Sequence, residues 1–256
     1  MRLRDKVAVV TGGGGAVSIG RCICLRFAEE GARVAVVDID EAGAKRVAEE
    51  IRQLGGEAIA IGCDVTDESQ TESMAAAVGA AWGRVDILVN NAAVYKGLAF
   101  RPFDEWTVPE WDHLMAVNVK GPWLCAKAVV SYMREQKKGK IINISSSSFM
   151  LGVPGFPHYV ASKAAVIGLT RSLAKELGKD GIRVTTLAPG YTLTEASLDA
   201  NKDNLEWNDV MKSLQSIQER NEMPEDLCGP ALFLASDDSD FMTGSLLLVD
   251  GGAALW

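Results

Sequence analysis

Positive charge is in short supply in this chain. Against 34 Asp and Glu stand 26 Lys and Arg, a formal net charge of −8 over 256 residues. The basic residues are scattered as isolated pairs such as Lys137-Lys138. Such a balance repels phosphate backbones and argues against nucleic acid or an anionic membrane surface as partner. Long apolar runs are missing too. The longest, around Met74 to Trp82, is alanine-rich, interrupted by Gly79, and well short of the roughly 18 residues of a membrane span. The opening Met-Arg-Leu-Arg-Asp-Lys-Val has no apolar stretch of a secretory signal, so a cytoplasmic location is expected. Cysteines number five, an odd count without framework spacing, as in a reducing compartment. Histidines number two, and no His/Cys/carboxylate cluster has metal-ligand spacing, so no metal is expected.

What is abundant is glycine, 25 of 256 or roughly 10% against a usual 7% or so. The surplus gathers near the ends, at Gly12 to Gly15 and Gly251-Gly252. Between them, short β-branched runs alternate with amphipathic stretches. Strands are predicted at Lys6–Thr11, Arg33–Asp38, Ala58–Cys63, Asp86–Asn90, Lys140–Ser145, Arg183–Ala188 and Leu246–Val249. The first is apolar on both pleat faces, as a strand covered on both sides should be. Helical patterns fill the gaps, with Ala44, Val47, Ala48, Ile51 and Leu54 at 3.6-residue spacing, and further ones near Ser69–Trp82, Pro109–Gln136, Tyr159–Gly178 and Pro224–Ser236. Alternation of this kind predicts one α/β domain over residues 1–256, a doubly wound, Rossmann-type parallel sheet of about seven strands with helices on both faces. Two long intervals without strand character, 92–108 and 191–223, follow strand carboxyl ends, where ligands bind, and are expected to shape a substrate site.

The first strand runs into Thr11-Gly-Gly-Gly-Gly-Ala-Val-Ser-Ile-Gly20 and then a helix. Glycines there let backbone N–H groups approach a pyrophosphate, whose charge sits well at a helix N-terminus, although a plain flexible turn has the same composition. Asp38 favours the first reading. It ends the second strand, 18 residues after Gly20, where a carboxylate accepts from the adenosine ribose hydroxyls and repels a 2′-phosphate. The next residue, Ile39, brings no cation, so NAD is favoured over NADP. Asp64, ahead of Val65, could meet the adenine edge, or could simply cap the following helix. Tyr159 and Lys163, at i and i+4, share a helix face, and an ammonium beside a phenol lowers the phenol's pKa.

With Asn143-Ile-Ser-Ser-Ser-Ser148 a dozen residues before that pair and Asn90-Asn91-Ala92-Ala93 before that strand, the chain resembles the short-chain dehydrogenase/reductase family over essentially its whole length. The resemblance makes Tyr159 the general acid/base, Lys163 the partner of the nicotinamide ribose, and Ser146 the donor to the substrate oxygen, with Ser145, Ser147 and Ser148 fitting the interval less well. It implies that Asn118 holds a water joined to Lys163 and that Asn90 supports the cofactor. It places Gly12, Ser18, Ile19, Gly20, Asp38, Asp64, Val65 and Ala92 along the dinucleotide. Pro189, Gly190, Thr192 and Thr194 would lie toward the nicotinamide. The implied reaction interconverts a secondary alcohol and a ketone, by a homotetramer acting on a small molecule. Tyr95, Phe149, Phe156 and Tyr191 fall where the substrate would lie and predict an apolar, aromatic-bearing one, unless they serve the core or subunit contacts.

Departures and rivals narrow this reading. The glycine loop is two residues longer than usual, with Ser18-Ile19-Gly20, like that of divergent enoyl-acyl-carrier-protein reductases. Those enzymes place their tyrosine seven residues before the lysine, where this chain has Phe156. Ala93 replaces the usual glycine. A 3-oxoacyl-thioester (acyl-carrier-protein) reductase is the rival within the class, weakened by the acidic charge and by Asp38. A dinucleotide-binding regulator without turnover is the rival outside it, and has no need of Asn118, Ser146, Tyr159 and Lys163 together. His158, beside Tyr159, is expected in the pocket or at the surface, and His113 in packing.

Overall fold

The computed structural model describes residues 1–95, 98, 100–200 and 206–255. Among the described residues, seven strands form one sheet: β1 (Val7–Thr11), β2 (Arg33–Asp38), β3 (Ala58–Gly62), β4 (Ile87–Asn90), β5 (Gly139–Ile144), β6 (Ile182–Pro189) and β7 (Leu246–Val249). Every pairing is parallel and the order is β3-β2-β1-β4-β5-β6-β7. Strand order reverses between β1 and β4, which opens a crevice at the carboxyl ends of the strands.

Both sheet faces are covered, which is why the strands show no polar alternation. From β1, Ala8 and Val10 pack toward α1 (Ile19–Glu29), α2 (Glu41–Gln53) and, further along the chain, α10 (Cys228–Ala235). Val7 and Val9 pack toward α3 (Glu68–Trp82), α5 (Gly121–Gln136) and α7 (Pro157–Leu177). The stretch expected as one helix over 109–136 is divided. It begins as α4 (Val108–Met115), started by a capping box between Thr107 and Glu110, widens to a π turn at Ala116–Lys120, and continues as α5.

The two expected substrate intervals lie over the strand carboxyl ends. Within 92–108 the described residues form a short 3-10 turn at Phe103–Glu105. Lys96, Gly97 and Ala99 lie outside the described residues. The interval 191–223 contains α8 (Glu195–Ala200) and α9 (Trp207–Ser213), neither of which the periodicity predicts. A four-residue helix, α6 (Ser148–Leu151), follows β5.

Candidate active site

One of two adjacent asparagines, Asn91, locks the crevice. Thr11 Oγ1 accepts from the N–H groups of Asn91 (3.0 Å) and Ala92 (3.1 Å), and Asn91 Nδ2 donates to the carbonyls of Thr11 (2.9 Å) and Gly12 (3.0 Å). Asn90 points the other way. It is buried, and its Nδ2 donates to Asn143 Oδ1 (2.8 Å) and Pro122 O (3.2 Å), with Asn143 Nδ2 passing on to Thr170 Oγ1 (2.9 Å). The residue at the crevice is therefore Asn91 and not the expected Asn90, because successive strand side chains leave opposite faces. Gly20 is also off the cavity wall. A Cβ there would run into the Gly12 carbonyl oxygen and stand 2.6 Å from Asn91 Nδ2, so this glycine lets α1 start directly behind the loop. Ser18 caps α1, its Oγ accepting from Arg21 N–H at 3.1 Å.

A cavity of about 630 Å³ occupies the crevice, within the range of small-ligand sites. Gly12, Ser18, Ile19, Asp38, Asp64, Val65 and Ala92 line one end. Asp38 is aimed by two backbone donors, Gly14 N–H (2.8 Å) and Asp40 N–H (3.0 Å). Asp64 is not the cap of the following helix. It lines the cavity and its Oδ1 accepts from Thr66 N–H (2.9 Å) and Oγ1 (2.8 Å), while α3 is capped by Asp67. Arg46 lines this end as well, its guanidinium 3.6 Å from Asp40. A cation is thus present that inspection of Ile39 alone misses, because α2 brings it from eight residues after Asp38.

At the other end, β5 and α7 are laced together. Ser145 Oγ donates to Lys163 O (2.7 Å) and Lys163 Nζ donates to Ile144 O (3.1 Å). Ser146, Tyr159 and Lys163 line the cavity, Ser146 Oγ accepting from Ser148 N–H at 3.2 Å. Lys163 Nζ lies 5.5 Å from the centre of the Tyr159 ring. Asn118 is buried off the cavity wall on the π turn. Its Oδ1 accepts from Val94 N–H (2.8 Å) and its Nδ2 donates to Ser162 Oγ (3.1 Å), which donates to Tyr159 O (2.7 Å). It therefore binds the chain after β4 to the turn of α7 carrying Tyr159.

Burial pushes the Tyr159 phenol up to about 12, a hydrogen bond with Ser146 acting the other way. Burial pushes Lys163 down to about 8. The tyrosine is therefore raised and not lowered as its spacing from Lys163 predicted, because burial disfavours the phenolate by more than the Ser146 hydrogen bond favours it.

Of the expected substrate residues, Tyr95, Phe156 and Tyr191 line the cavity and Phe149 does not. Two residues after Phe149, Leu151 takes that place, with Val153 beside it, since α6 carries Phe149 away from the opening. The Tyr95 and Tyr159 rings meet edge to face at 5.2 Å. Pro189, Gly190, Thr192 and Thr194 line the same end, joined by Trp207 and Met211 of α9. That i, i+4 pair of large apolar side chains was the signal for α9. The long glycine loop reaches this side too, Glu195 N–H donating to Val17 O at 2.9 Å.

The histidines exchange their expected places. His158 is fully buried against Trp106 (ring centres 4.0 Å apart) and Trp111 (6.1 Å), and burial holds its pKa down. His113 is exposed and lines the cavity. Among the described residues, no three His, Cys, Asp or Glu gather as a metal site, and no helix is long and apolar enough to cross a membrane.

A parallel doubly wound sheet with a glycine loop, an acidic β2 end and a tyrosine-lysine pair at one crevice defines a dinucleotide-binding oxidoreductase. Residues 14–254 match the family model described as Enoyl-(Acyl carrier protein) reductase. The chain is 38% identical over 256 residues to (2S)-[(R)-hydroxy(phenyl)methyl]succinyl-CoA dehydrogenase subunit BbsD of Thauera aromatica, covering 100% of this chain and 99% of that one. It superimposes on levodione reductase with a TM-score of 0.90, 29% identity and 98% of each chain covered. With the 3-ketoacyl-(acyl-carrier-protein) reductase from Brucella melitensis complexed with NADH the TM-score is 0.89, at 32% identity and 99% and 100% coverage. The chain belongs to the short-chain dehydrogenase/reductase family, and it is an enzyme, an oxidoreductase.

Proposed function

We propose that the protein is an NAD-dependent dehydrogenase of an apolar, aromatic-bearing secondary alcohol, working also in the direction of the ketone. The observation that carries this reading is the meeting of Ser146, Tyr159 and Lys163 with Tyr95, Phe156 and Trp207 in the cavity that Asp38 borders at its far end. The residues fit a dinucleotide. Gly12, at a φ of 67°, lets the loop lie directly against Asn91 and Ala92, α1 turns its N-terminus to the loop, and the Asp38 carboxylate is already oriented by two N–H groups, while Arg46 at the same end of the cavity is paired with Asp40. A nicotinamide held at the Tyr159 end would supply the acceptor or donor of hydride for the carbinol carbon.

The chain's own part is proton transfer and orientation. Ser146 Oγ holds the substrate oxygen, and Tyr159 Oη removes the hydroxyl proton in oxidation or supplies it in reduction. Burial disfavours the phenolate, so positive charge has to stand nearby, and Lys163 supplies it. Asn118 keeps the Tyr159 turn in register with the chain after β4.

Reduction of a 3-oxoacyl thioester is the second reading, favoured by the likeness to the Brucella melitensis reductase and opposed by the net charge of −8, which an acidic carrier protein would meet unfavourably. An apolar patch of Met115, Val119, Trp123 and Leu169 on the outer face of α4, α5 and α7 supports a homotetramer, checked by light scattering. The acidic chain with unpaired thiols suits the cytoplasm.

A panel of secondary alcohols followed at the NADH absorbance band, with NAD and NADP in parallel, tests the whole reading. Aryl-bearing alcohols with NAD should turn over fastest. Turnover of polyhydroxylated sugars alone would reject the apolar substrate, and a Tyr159→Phe variant that kept substantial turnover would reject the acid/base assignment. Binding without any reduced cofactor would support a regulator instead.

A further inference from the structure

One buried carboxyl group at the nicotinamide end takes no part in the chemistry above. Glu222 is 7% exposed and sits where the 191–223 interval returns to the sheet. Its Oε1 accepts from Thr192 Oγ1 at 2.7 Å and its Oε2 from Gly190 N–H at 3.1 Å. Its backbone carbonyl accepts from Leu193 N–H at 2.8 Å, and a parallel bridge pairs it with Thr192. A Cβ on Gly190 would stand 2.9 Å from Glu222 Oε2 and from the Asp250 backbone, so only glycine admits the carboxylate this close. Thr192 has a single hydroxyl proton. A carboxylate can only accept, so that proton is committed to Glu222 and Thr192 turns lone pairs toward the cavity it lines.

We propose that Glu222 is a positioning residue for the cofactor: by holding the Thr192 proton it makes Thr192 Oγ1 an acceptor for the carboxamide N–H₂ of the nicotinamide. This rests on the reading that the nicotinamide lies at Gly190 and Thr192. A protonated Glu222 gives its own proton to Thr192 and turns the threonine proton outward, where it faces the carboxamide donor to donor. Burial pushes Glu222 up to about 7, its two hydrogen bonds opposing and the carboxylates of Asp226 and Asp250 adding to the rise. Arg220, two residues away, is committed to Asp226 by bonds of 2.5 and 2.7 Å. Cofactor affinity therefore falls as pH drops through about 7.

The test is a fluorescence titration with NADH, from about pH 6 to about pH 9, on the wild type, Glu222→Gln, Thr192→Val and the double variant. The wild-type Kd should rise about tenfold across the step near neutral pH, the scale of one hydrogen bond lost. Glu222→Gln keeps the shape and gives Thr192 an amide N–H, so it should bind about tenfold more weakly at high pH and show no such step. Thr192→Val should do the same, and the double variant should be no worse than either single one. The limb from Lys163, near 8, should persist in all four. A neutral-pH step surviving in Glu222→Gln, or wild-type affinity in that variant above the step, overturns the proposal. Should Glu222→Gln fail to fold, Thr192→Val against the wild-type step decides alone. A wild type that binds no NADH at any pH overturns the cofactor reading and this proposal with it, whereas wild-type binding with unaltered variants overturns this proposal only.

Discussion

Alanine in place of each of two adjacent asparagines should have opposite consequences. Asn90→Ala removes the donor to Asn143 Oδ1 and to Pro122 O, both inside the protein. Stranding buried acceptors costs about 1–3 kcal/mol, and the lost side-chain volume adds somewhat less than 1, for about 2–4 kcal/mol in all. For a chain of this size that lowers Tm by roughly 4–16 °C. NADH affinity should stay within about twofold, since no Asn90 atom reaches the cavity. Asn91→Ala removes the two bonds that hold the Thr11 and Gly12 carbonyls, each worth about 0.5–1.5 kcal/mol. The loss falls on a loop that can loosen locally, so Tm should move by only a few degrees, roughly 2–4 per kcal/mol retained in the global transition. The Kd for NADH should rise roughly tenfold or more. Thermal unfolding by circular dichroism and NADH titration on the same samples give both numbers. An Asn90→Ala protein with unchanged Tm and weakened NADH binding, or an Asn91→Ala protein that binds as the wild type does, would refute the assignment of the crevice to Asn91.

Three further outcomes are expected. Gly20→Ala should cost at least about 1–3 kcal/mol in Tm measurements and abolish NADH binding, because its methyl group collides with Gly12 and Asn91 across the loop. Asp38→Ser should shift the kcat/KM ratio toward NADP by roughly 10–100-fold, as the repelling charge is gone while Arg46 remains at that end of the cavity. Lys163, held near 8 by burial against an ordinary value of 10.5, binds fewer protons folded than unfolded between those values. Stability should accordingly rise with pH above about 8, by up to roughly 3 kcal/mol over the full window. Urea unfolding should show that rise up to about pH 10 in the wild type and lose it in Lys163→Met, and equal slopes would contradict it.

Strand positions were legible because both faces of this sheet are apolar, and β-branched runs such as Val7–Thr11 stand out against helical spacing. The same two-sided burial hid the direction of Asn90 and Asn91. Leu88, two residues before Asn90, faces α5, but an all-apolar strand carries no mark of which face is which. The shared helix face of Tyr159 and Lys163 was readable from their i, i+4 spacing, and their roles from the 143–148 and 90–93 motifs around them. The raised tyrosine was not, since its cause is burial under chain from other elements. His158 does diverge from Tyr159 as helix geometry requires, yet nothing local announces the indoles of Trp106 and Trp111, some 50 residues earlier, on either side of a turn. Glu222 was equally silent, since only the return of 191–223 beneath Gly190 gives it partners.

The hydrogen bond from Glu195 N–H to Val17 O joins the lengthened glycine loop to the first turn of α8. A single backbone bond nets about 0.5–1.5 kcal/mol, so the joined form outnumbers the parted one by only about two- to tenfold. The connection is thus a latch and not a lock, thrown open and shut many times during one turnover if it moves on the microsecond-to-millisecond scale of such loops. Shortening the loop by its two extra residues would leave Val17 nothing to hold, and should show as faster cofactor release with little change in the rate of the chemical step.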